Sequence, residues 1–277
     1  MAKLILITLP IGNMEDLSPR ARKALEEGKH FFVEDTRVFK DRLKRADIVL
    51  EAKSLFAFHD QDRSKVKLVL ELLNKGEDVF LASDAGSPLI SDPAFPLVKE
   101  VLKSEFEIET LPGPNSVVTA LELSGLPPHP FHFHGFLPKE KEKRKTSFED
   151  CTGISGTHIF FESPHRVLDS AEILSSLLPG AEICLAKELT KTFQTVYRFK
   201  GMDWDSVKEE VVSKGEFVLL FHIESGAKKS GSKLLKQAEE VLKKPNNKKL
   251  SKLLSEILDK NAKELYQELE QNSKISD

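Results

Sequence analysis

The chain has 277 residues, 40% of them hydrophobic and 31% charged, with a net charge of −3. This length allows two domains of ordinary size, and the lack of an apolar run long enough to cross a bilayer predicts a protein without membrane contact. The two cysteines, Cys151 and Cys184, form neither a disulfide nor a metal-binding pattern, which favours a reducing, cytoplasmic setting.

The first 111 residues alternate between two kinds of segment. Apolar, β-branched runs predict strands, and amphipathic segments bounded by Ser-Pro or Gly predict helices. The predicted strands are residues 3–9, 30–33, 79–82 and 106–111, and the predicted helices are residues 19–27, 36–45 (a helix or a turn), 64–74 and 94–103. This alternation predicts a largely parallel sheet with helices on its faces.

The next part of the chain predicts a second α/β domain with a mixed sheet. Residues 126–138 contain four prolines and three histidines, which predicts a long surface loop. Without acidic or cysteine ligands nearby, these histidines predict no metal site. The other predicted elements are helices at residues 116–124, 139–150, 166–177 and 203–213, and strands at residues 157–162, 182–187, 193–199 and 216–223. We therefore expect domains at residues 1–112 and 113–225.

The remaining residues, 226–277, differ from the rest in charge. They hold 12 lysines against 8 acidic residues, whereas the preceding part of the chain is net negative. We predict a flexible linker at residues 225–232 and about three short helices within residues 234–270. The difference in sign indicates an anionic partner for this tail.

Three loops rich in glycine and proline follow strands of the first predicted sheet. They are L-P-I-G-N at residues 9–13, S-D-A-G-S-P-L-I-S-D-P-A-F at 83–95 and L-P-G-P-N-S at 111–116. Open α/β sheets bind ligands where their strands end, and glycine lets backbone approach a ligand closely. The sequence therefore predicts a pocket at this edge. Neither a G-x-G-x-x-G nor a P-loop motif is present, which weighs against nicotinamide and P-loop nucleotides.

Five charged segments leave alternatives open. E-D-T-R at 34–37 is either a helix start or a catalytic group. Arg166 in E-S-P-H-R has an anionic partner, either a phosphate or Glu162, and Lys191 in E-L-T-K meets a phosphate or is a solvated turn residue. The basic runs at 37–45 and 139–145 are either solvated helix faces or a surface for a polyanion.

Taken in order, a set of motifs resembles the ribosomal RNA small subunit methyltransferase I family, a branch of the tetrapyrrole methylase superfamily. They are L-P-I-G-N-M-E-D-L-S-P-R-A, E-D-T-R, S-D-A-G-S-P-L-I-S-D-P, L-P-G-P, S-G-L-P, F-x-G-F-L-P, F-F-E-S-P-H-R and K-E-L-T-K, between residues 4 and 223. The resemblance implies two α/β domains of tetrapyrrole methylase type, with S-adenosylmethionine between them, and a small C-terminal helical module. It also implies a homodimer that methylates the 2′-hydroxyl of a cytidine in the decoding region of 16S ribosomal RNA.

By analogy with this superfamily, ten positions are expected to contact the cofactor, with Asp84 as a polar anchor for its amine or hydroxyl groups. They are Pro10, Asp84, Gly86, Pro88, Leu89, Ile90, Ser116, Val117, Phe161 and Leu189.

A ribose hydroxyl is a poor nucleophile until its proton is removed. The candidate bases are Glu162, His165 and Glu188, with Lys191 and Arg166 stabilising a phosphate or alkoxide. The expected RNA-binding residues are Arg37, Arg42, Lys139, Lys143, Arg144, Lys145 and Arg166. Two alternatives remain: a methyltransferase of the same superfamily acting on a small molecule or protein, and a non-catalytic cofactor-binding protein associated with RNA or the ribosome.

Overall fold

We describe the fold from a computed structural model, which covers residues 2–49, 51–58, 63–91, 94–224, 246–258 and 261–273. Met1–Phe148 and Gly156–Ile223 form one compact unit that carries both sheets, and Glu149–Ser155 with Glu224–Asp277 form a second. The expected boundary between residues 112 and 113 falls between the two sheets and stays a prediction.

The first sheet has five strands, and every pairing in it is parallel. Its strands are β1 (Lys3–Ile7), β2 (His30–Val33), β3 (Ser54–Ala57), β4 (Val79–Ala82) and β5 (Glu107–Leu111), in the order β3-β2-β4-β1-β5. Its helices are α1 (Pro19–Glu27), α2 (Thr36–Arg45), α3 (Arg63–Asn74) and α4 (Phe95–Lys103). The predicted parallel sheet is confirmed.

Local signals account for the helix starts. The Ser18 hydroxyl accepts a hydrogen bond from the Ala21 amide at 3.2 Å, and Asp35 Oδ1 accepts one from the Arg37 amide at 2.7 Å. The Asp35 cap decides between helix and turn for residues 36–45 in favour of a helix. The sheet is buried on both faces, since neighbouring residues of β2, Phe31 and Phe32, pack into separate hydrophobic clusters.

The edge strand β3 was not predicted from the sequence. It has four residues, none of them fully buried, and it pairs only with β2 among the described strands. Such a short, half-exposed strand carries little hydrophobic pattern, so its conformation depends on the partner strand rather than on its own composition.

The second sheet is mixed, as predicted. Its strands are β6 (Phe131–Phe136), β7 (Gly156–Glu162), β8 (Glu182–Lys187), β9 (Thr195–Lys200) and β10 (Phe217–Ile223), in the order β6-β7-β10-β8-β9. Only β6 and β7 are parallel, and the other pairs are antiparallel. Its helices are α5 (Ser116–Ser124), α6 (Lys141–Cys151), α7 (Val167–Leu177) and α8 (Trp204–Val207).

The predicted surface loop at residues 126–138 is wrong, because six of these residues form strand β6. The prolines lie before and after the strand, at 127, 128, 130 and 138, and leave F-H-F-H-G-F free to pair with β7. Aromatic stacking also holds the strand, since the rings of His134 and Phe160 lie 4.5 Å apart and nearly parallel.

The predicted helix at residues 203–213 is also shorter than expected. Only α8 is α-helical there, with a 3₁₀ turn on each side, and the backbone is extended again at Val211. Trp204 anchors this segment, because its buried ring packs 5.4 Å from that of Phe199.

The second compact unit contains two described helices, Asn247–Leu258 and Ala262–Ser273. Leu253 and Leu265 are buried. These helices agree with the helical prediction for residues 234–270, whereas its first part and the linker at residues 225–232 lie outside the described residues. Among the described helices, none has the length and hydropathy needed to span a membrane.

Candidate active site

The structure brings the three glycine- and proline-rich loops together. They follow β4, β1 and β5, which are neighbouring parallel strands and therefore end at the same edge of the sheet. The amide of Leu9 donates to the carbonyl of Gly86 at 3.0 Å, and the Gly86 amide donates back at 2.9 Å. The amide of Thr8 donates to Leu111 O at 3.1 Å, which joins the third strand to the same group.

Two glycines make this arrangement possible. Gly86 has a φ of +70°, a region that L-residues with a side chain rarely adopt. At Gly12, an added Cβ would lie 2.6 Å from Thr190 Oγ1 and 2.8 Å from Leu189 O. Gly12 therefore allows the loop after β1 to pack on the loop after β8, and the Asn13 amide donates to Thr190 Oγ1 at 3.0 Å.

A cavity of about 470 Å³ lies where the loops of both sheets meet. The first sheet contributes the loops after β1, β4 and β5. The second contributes the ends of β7 and β8 and the start of β10, which reach the same edge because β10 runs antiparallel to both. We call this the cofactor cavity, because residues expected from the sequence to contact the cofactor, among them Asp84 and Gly86, line it. Its lining includes Ile11, Glu34, Asp84, Gly86, Ile90, Asn115, Ser116, Phe161, Glu162, Leu189 and Glu216.

Six of the ten expected cofactor residues line this cavity. They are Asp84, Gly86, Ile90, Ser116, Phe161 and Leu189. The other four lie outside its lining. The Pro10 carbonyl accepts a hydrogen bond from Arg42 Nη1 at 3.1 Å, and Pro88 lines a small void behind the loop. Val117 is buried in the core, and Leu89 is 37% exposed.

Asp84 combines partial burial with a single strong contact. Its Oδ1 accepts the Asp35 amide at 3.1 Å. Burial raises the pKa of Asp84, the Asp35 hydrogen bond and the Arg42 charge oppose this, and the net result is a raised pKa. No described residue donates to Oδ2, so this oxygen is available to an amine or hydroxyl of a ligand.

Glu162 is held by the residues around it. Its carboxylate accepts hydrogen bonds from the Ser163 amide at 2.6 Å and the Ser170 hydroxyl at 2.5 Å, and it pairs with Arg166 at 2.9 Å. The side chain is fully buried, so these contacts organise the start of α7. The sequence left a phosphate or Glu162 as the anionic partner of Arg166, and in the structure Arg166 pairs with Glu162. His165 is exposed and does not line the cofactor cavity.

Glu188 and Lys191 belong to a charged network on the loop after β8. Lys191 Nζ lies 3.0 Å from Glu188 Oε1 and 3.1 Å from Glu216 Oε2, and Glu188 Oε1 also accepts the Glu216 amide. Burial raises the pKa of Glu188, but these partners outweigh it and leave that pKa below its usual value. Burial lowers the pKa of Lys191, and its two carboxylate partners reverse this, so its pKa is raised.

Glu34 is the cavity carboxylate that the sequence left undecided. The neighbouring Asp35 makes the helix cap and pairs with Arg37 at 2.7 Å, whereas Glu34 lines the cofactor cavity. Within the described residues, no hydrogen bond or ion pair reaches its carboxylate. The signal in the sequence was that a helix needs only one cap, which leaves the second acid of E-D-T-R free.

The expected RNA-binding residues differ in accessibility. Arg37, Lys139, Lys143 and Lys145 are exposed, and Arg42 is half-buried. Arg144 is only 3% exposed, since its guanidinium donates to the Lys139 carbonyl and pairs with Asp169. Its role is therefore to join the start of α6 to α7, and the expectation that it contacts RNA is corrected.

Comparisons with known proteins agree with this fold. The family model described as Tetrapyrrole (Corrin/Porphyrin) Methylases matches residues 3–203. A protein of Hydrogenobaculum sp. named ribosomal RNA small subunit methyltransferase I is 38% identical over 80% of this chain and 96% of its own length. A Vibrio cholerae protein of the same name is 37% identical over 94% of this chain and 92% of its own.

Among solved structures, the methyltransferase CobJ superposes with a TM-score of 0.59 at 19% identity, covering 82% of this chain and 98% of its own. This likeness supports the fold alone, whereas the match to the family model and the identity to the two relatives assign the chain to a family. The chain belongs to the ribosomal RNA small subunit methyltransferase I family of the tetrapyrrole methylases, and these are S-adenosylmethionine-dependent methyltransferases.

Proposed function

We propose that the protein methylates the ribose 2′-hydroxyl of a cytidine in 16S ribosomal RNA of the small subunit, with S-adenosylmethionine as the methyl donor. The observation that carries this proposal is the cofactor cavity, walled by the motif loops on which the family resemblance rests. The name shared by the relatives favours RNA over a small molecule or protein as substrate.

The residues of the cofactor cavity fit S-adenosylmethionine. A volume of about 470 Å³ lies within the usual range of roughly 300–1,000 Å³ for cofactor sites. Ile11, Phe161 and Leu189 offer apolar surface for an adenine ring, and the free Oδ2 of Asp84 suits an amine or ribose hydroxyl. Because Gly86 has no side chain, the ligand can approach the backbone of its loop.

When bound, S-adenosylmethionine supplies a methyl group that is already activated by its sulfonium. The protein therefore has three tasks: to align the attacking oxygen, to exclude water and to accept the hydroxyl proton. The loops from both sheets perform the first two, because they surround the cavity. The third task requires a carboxylate or imidazole with a free acceptor.

We propose Glu34 as this base, ahead of Glu162, His165 and Glu188. Glu162 already accepts three donors, and Glu188 accepts from Lys191 and the Glu216 amide. A base must offer an acceptor within reach of the proton that it removes, and Glu34 lines the cofactor cavity with both carboxylate oxygens free of described partners. The proton would then be held on a Glu34 Oε atom.

The resemblance also supports a cytoplasmic homodimer. We keep both as proposals, and light scattering of the purified full chain at micromolar concentration measures the second. A mass near 62 kDa, about twice the 31.1 kDa chain, would support a dimer, and a mass near that of one chain would contradict it.

The decisive experiment uses labelled S-adenosylmethionine and small ribosomal subunits from cells that lack this modification. We expect label on one ribose, and nuclease mapping with mass spectrometry will place it on a cytidine 2′-oxygen of 16S RNA. Label on a base, or on ribosomal protein, would contradict the proposal. The Gly86→Val variant, which we expect not to bind the cofactor, is the negative control.

A further inference from the structure

A second cavity, of about 720 Å³, adjoins the cofactor cavity. Ile11 lines both of them. The second cavity is lined by three cationic side chains, Arg42, Arg45 and Lys191, together with Asn13, Thr190 and Thr192. No carboxylate belongs to its lining in the part of the chain that the structure describes. We call this the cationic cavity.

Arg42 is held in place by a hydrogen bond but keeps unused donors. Its Nη1 donates to the Pro10 carbonyl at 3.1 Å, whereas its buried Nε has no acceptor among the described residues. Burial lowers the pKa of Arg42, and the charges of Asp84 and Glu216 oppose this. A planar guanidinium with unused donors is suited to an oxyanion such as a phosphate, because two of its N–H groups can donate parallel hydrogen bonds to two of the anion's oxygens.

Lys191 connects the two cavities. Its ammonium lies 3.1 Å from Glu216 Oε2, and Glu216 contributes to the lining of the cofactor cavity. Glu188, at 3.0 Å, also pairs with Lys191, and the two carboxylates raise the pKa of Lys191 and keep it charged. The same ion-pair network therefore forms part of the wall of both sites, so a group bound at Lys191 lies next to the cofactor cavity.

We propose that the cationic cavity binds a backbone phosphate of the RNA strand, beside the nucleotide whose ribose enters the cofactor cavity. This inference rests on the proposed function. Phosphate contacts from Arg, Lys and hydroxyl side chains fix the register and orientation of a nucleic acid without reading its sequence. Methylation of a ribose requires such positioning, because the sugar must be held next to the methyl donor. Asn13, Thr190 and Thr192 add neutral donors to the three cations.

Arg45→Ala tests the proposal most cleanly, because Arg42 and Lys191 also support neighbouring loops. Arg45 is 67% exposed and pairs with Asp41 at 2.8 Å. Arg20→Ala is the matched control, since Arg20 is 63% exposed and pairs with Glu109 at 2.6 Å. Arg20 lines neither the cofactor cavity nor the cationic cavity.

We expect Arg45→Ala to bind small ribosomal subunits about tenfold more weakly at low salt, as for the loss of one charged hydrogen bond. The slope of log affinity against log salt falls by about 1, because one phosphate is no longer neutralised. Its affinity for S-adenosylmethionine and its kcat at saturating subunits stay unchanged, so only KM for the subunits rises. Arg20→Ala behaves as the parent protein.

Equal affinity and salt slope for the two variants would overturn the proposal. A loss of affinity without a change in slope would overturn it as well, because a phosphate contact must release counterions. Failure of the proposed function is a separate result. In that case the parent protein transfers no label to the subunits, while the slopes of the two variants still report on the phosphate contact.

Discussion

The cofactor cavity and the cationic cavity share Ile11 but are built in different ways. The first is shaped mainly by backbone at the ends of strands, with glycine at the points of closest approach. The second presents charged side chains from α2 and from the loop after β8. A site shaped by backbone depends on the φ angles of single residues and on glycine at the points of closest approach, so one substitution can abolish binding. A site made of several cationic side chains loses only part of its affinity with each substitution.

The largest effect is expected for Gly86→Val. Its φ of +70° costs a β-branched residue about 1–3 kcal/mol, and relief of that strain moves the backbone that pairs with Leu9 and lines the cofactor cavity. We expect S-adenosylmethionine to bind about 100-fold more weakly or worse by calorimetry, with RNA affinity kept.

Gly76→Val is the control for strain alone. Gly76 has a φ of +81°, its added Cβ would meet no atom within 4 Å among the described residues beyond its chain neighbours, and it does not line the cofactor cavity. Both variants lose stability, and only Gly86→Val loses cofactor binding. Equal cofactor affinity in the two variants would show that the cavity wall does not depend on Gly86.

Glu34→Gln tests whether the backbone-built cavity also carries the base. Glutamine keeps the shape of the side chain and removes its basicity, so we expect kcat to fall about 100-fold while the affinities for S-adenosylmethionine and RNA stay within twofold. Single-turnover methyl transfer measures this step directly.

Glu162→Gln separates Glu34 from the strongest alternative. Because Glu162 holds the start of α7 through Ser170 and Arg166, we expect it to lower stability more than the rate per folded molecule. The opposite result, with Glu34→Gln active and Glu162→Gln folded but inactive, would assign the base to Glu162.

Much of the fold followed from local signals in the sequence. Ser18 and Asp35 cap helices by accepting hydrogen bonds from amides two or three residues further along the chain. The continuous apolar run of β4 predicts a buried strand without knowledge of its partner strands. The edge strands β3 and β6 were not predicted from the sequence, because their hydrophobic pattern is weak or lies among prolines. Their conformation depends on pairing with β2 and β7.

The candidate site shows the same division. The loops that follow neighbouring strands could be placed at one edge from topology alone, so the cofactor cavity was predictable. Which carboxylates already accept hydrogen bonds could not be predicted. Glu162, for example, accepts one from Ser170, which lies on the buried face of α7. Arg144 was misjudged for a similar reason: its partner Asp169 is 25 residues distant, and a run of lysines hides the one inward-facing cation.

The smallest effect concerns the network that joins the two cavities. Glu188 accepts from Lys191 and from the Glu216 amide, and its pKa in the folded protein is below the usual 4.5. A lowered pKa means that the stabilisation is present above the unfolded value and is lost as the pH falls through the folded one. We expect Glu188→Gln to reduce the free energy of unfolding by about 1–2 kcal/mol at pH 7.

Urea unfolding at several pH values measures this difference, which we expect to shrink below pH 4.5 as the parent carboxylate takes up its proton. Glu216→Gln is the comparison variant, because Glu216 also pairs with Lys191 but its side chain is 77% exposed. An exposed pair contributes at most about 1 kcal/mol. If both variants lose the same stability at every pH, the half-buried contact between Glu188 and Lys191 contributes no more than the exposed pair of Lys191 with Glu216.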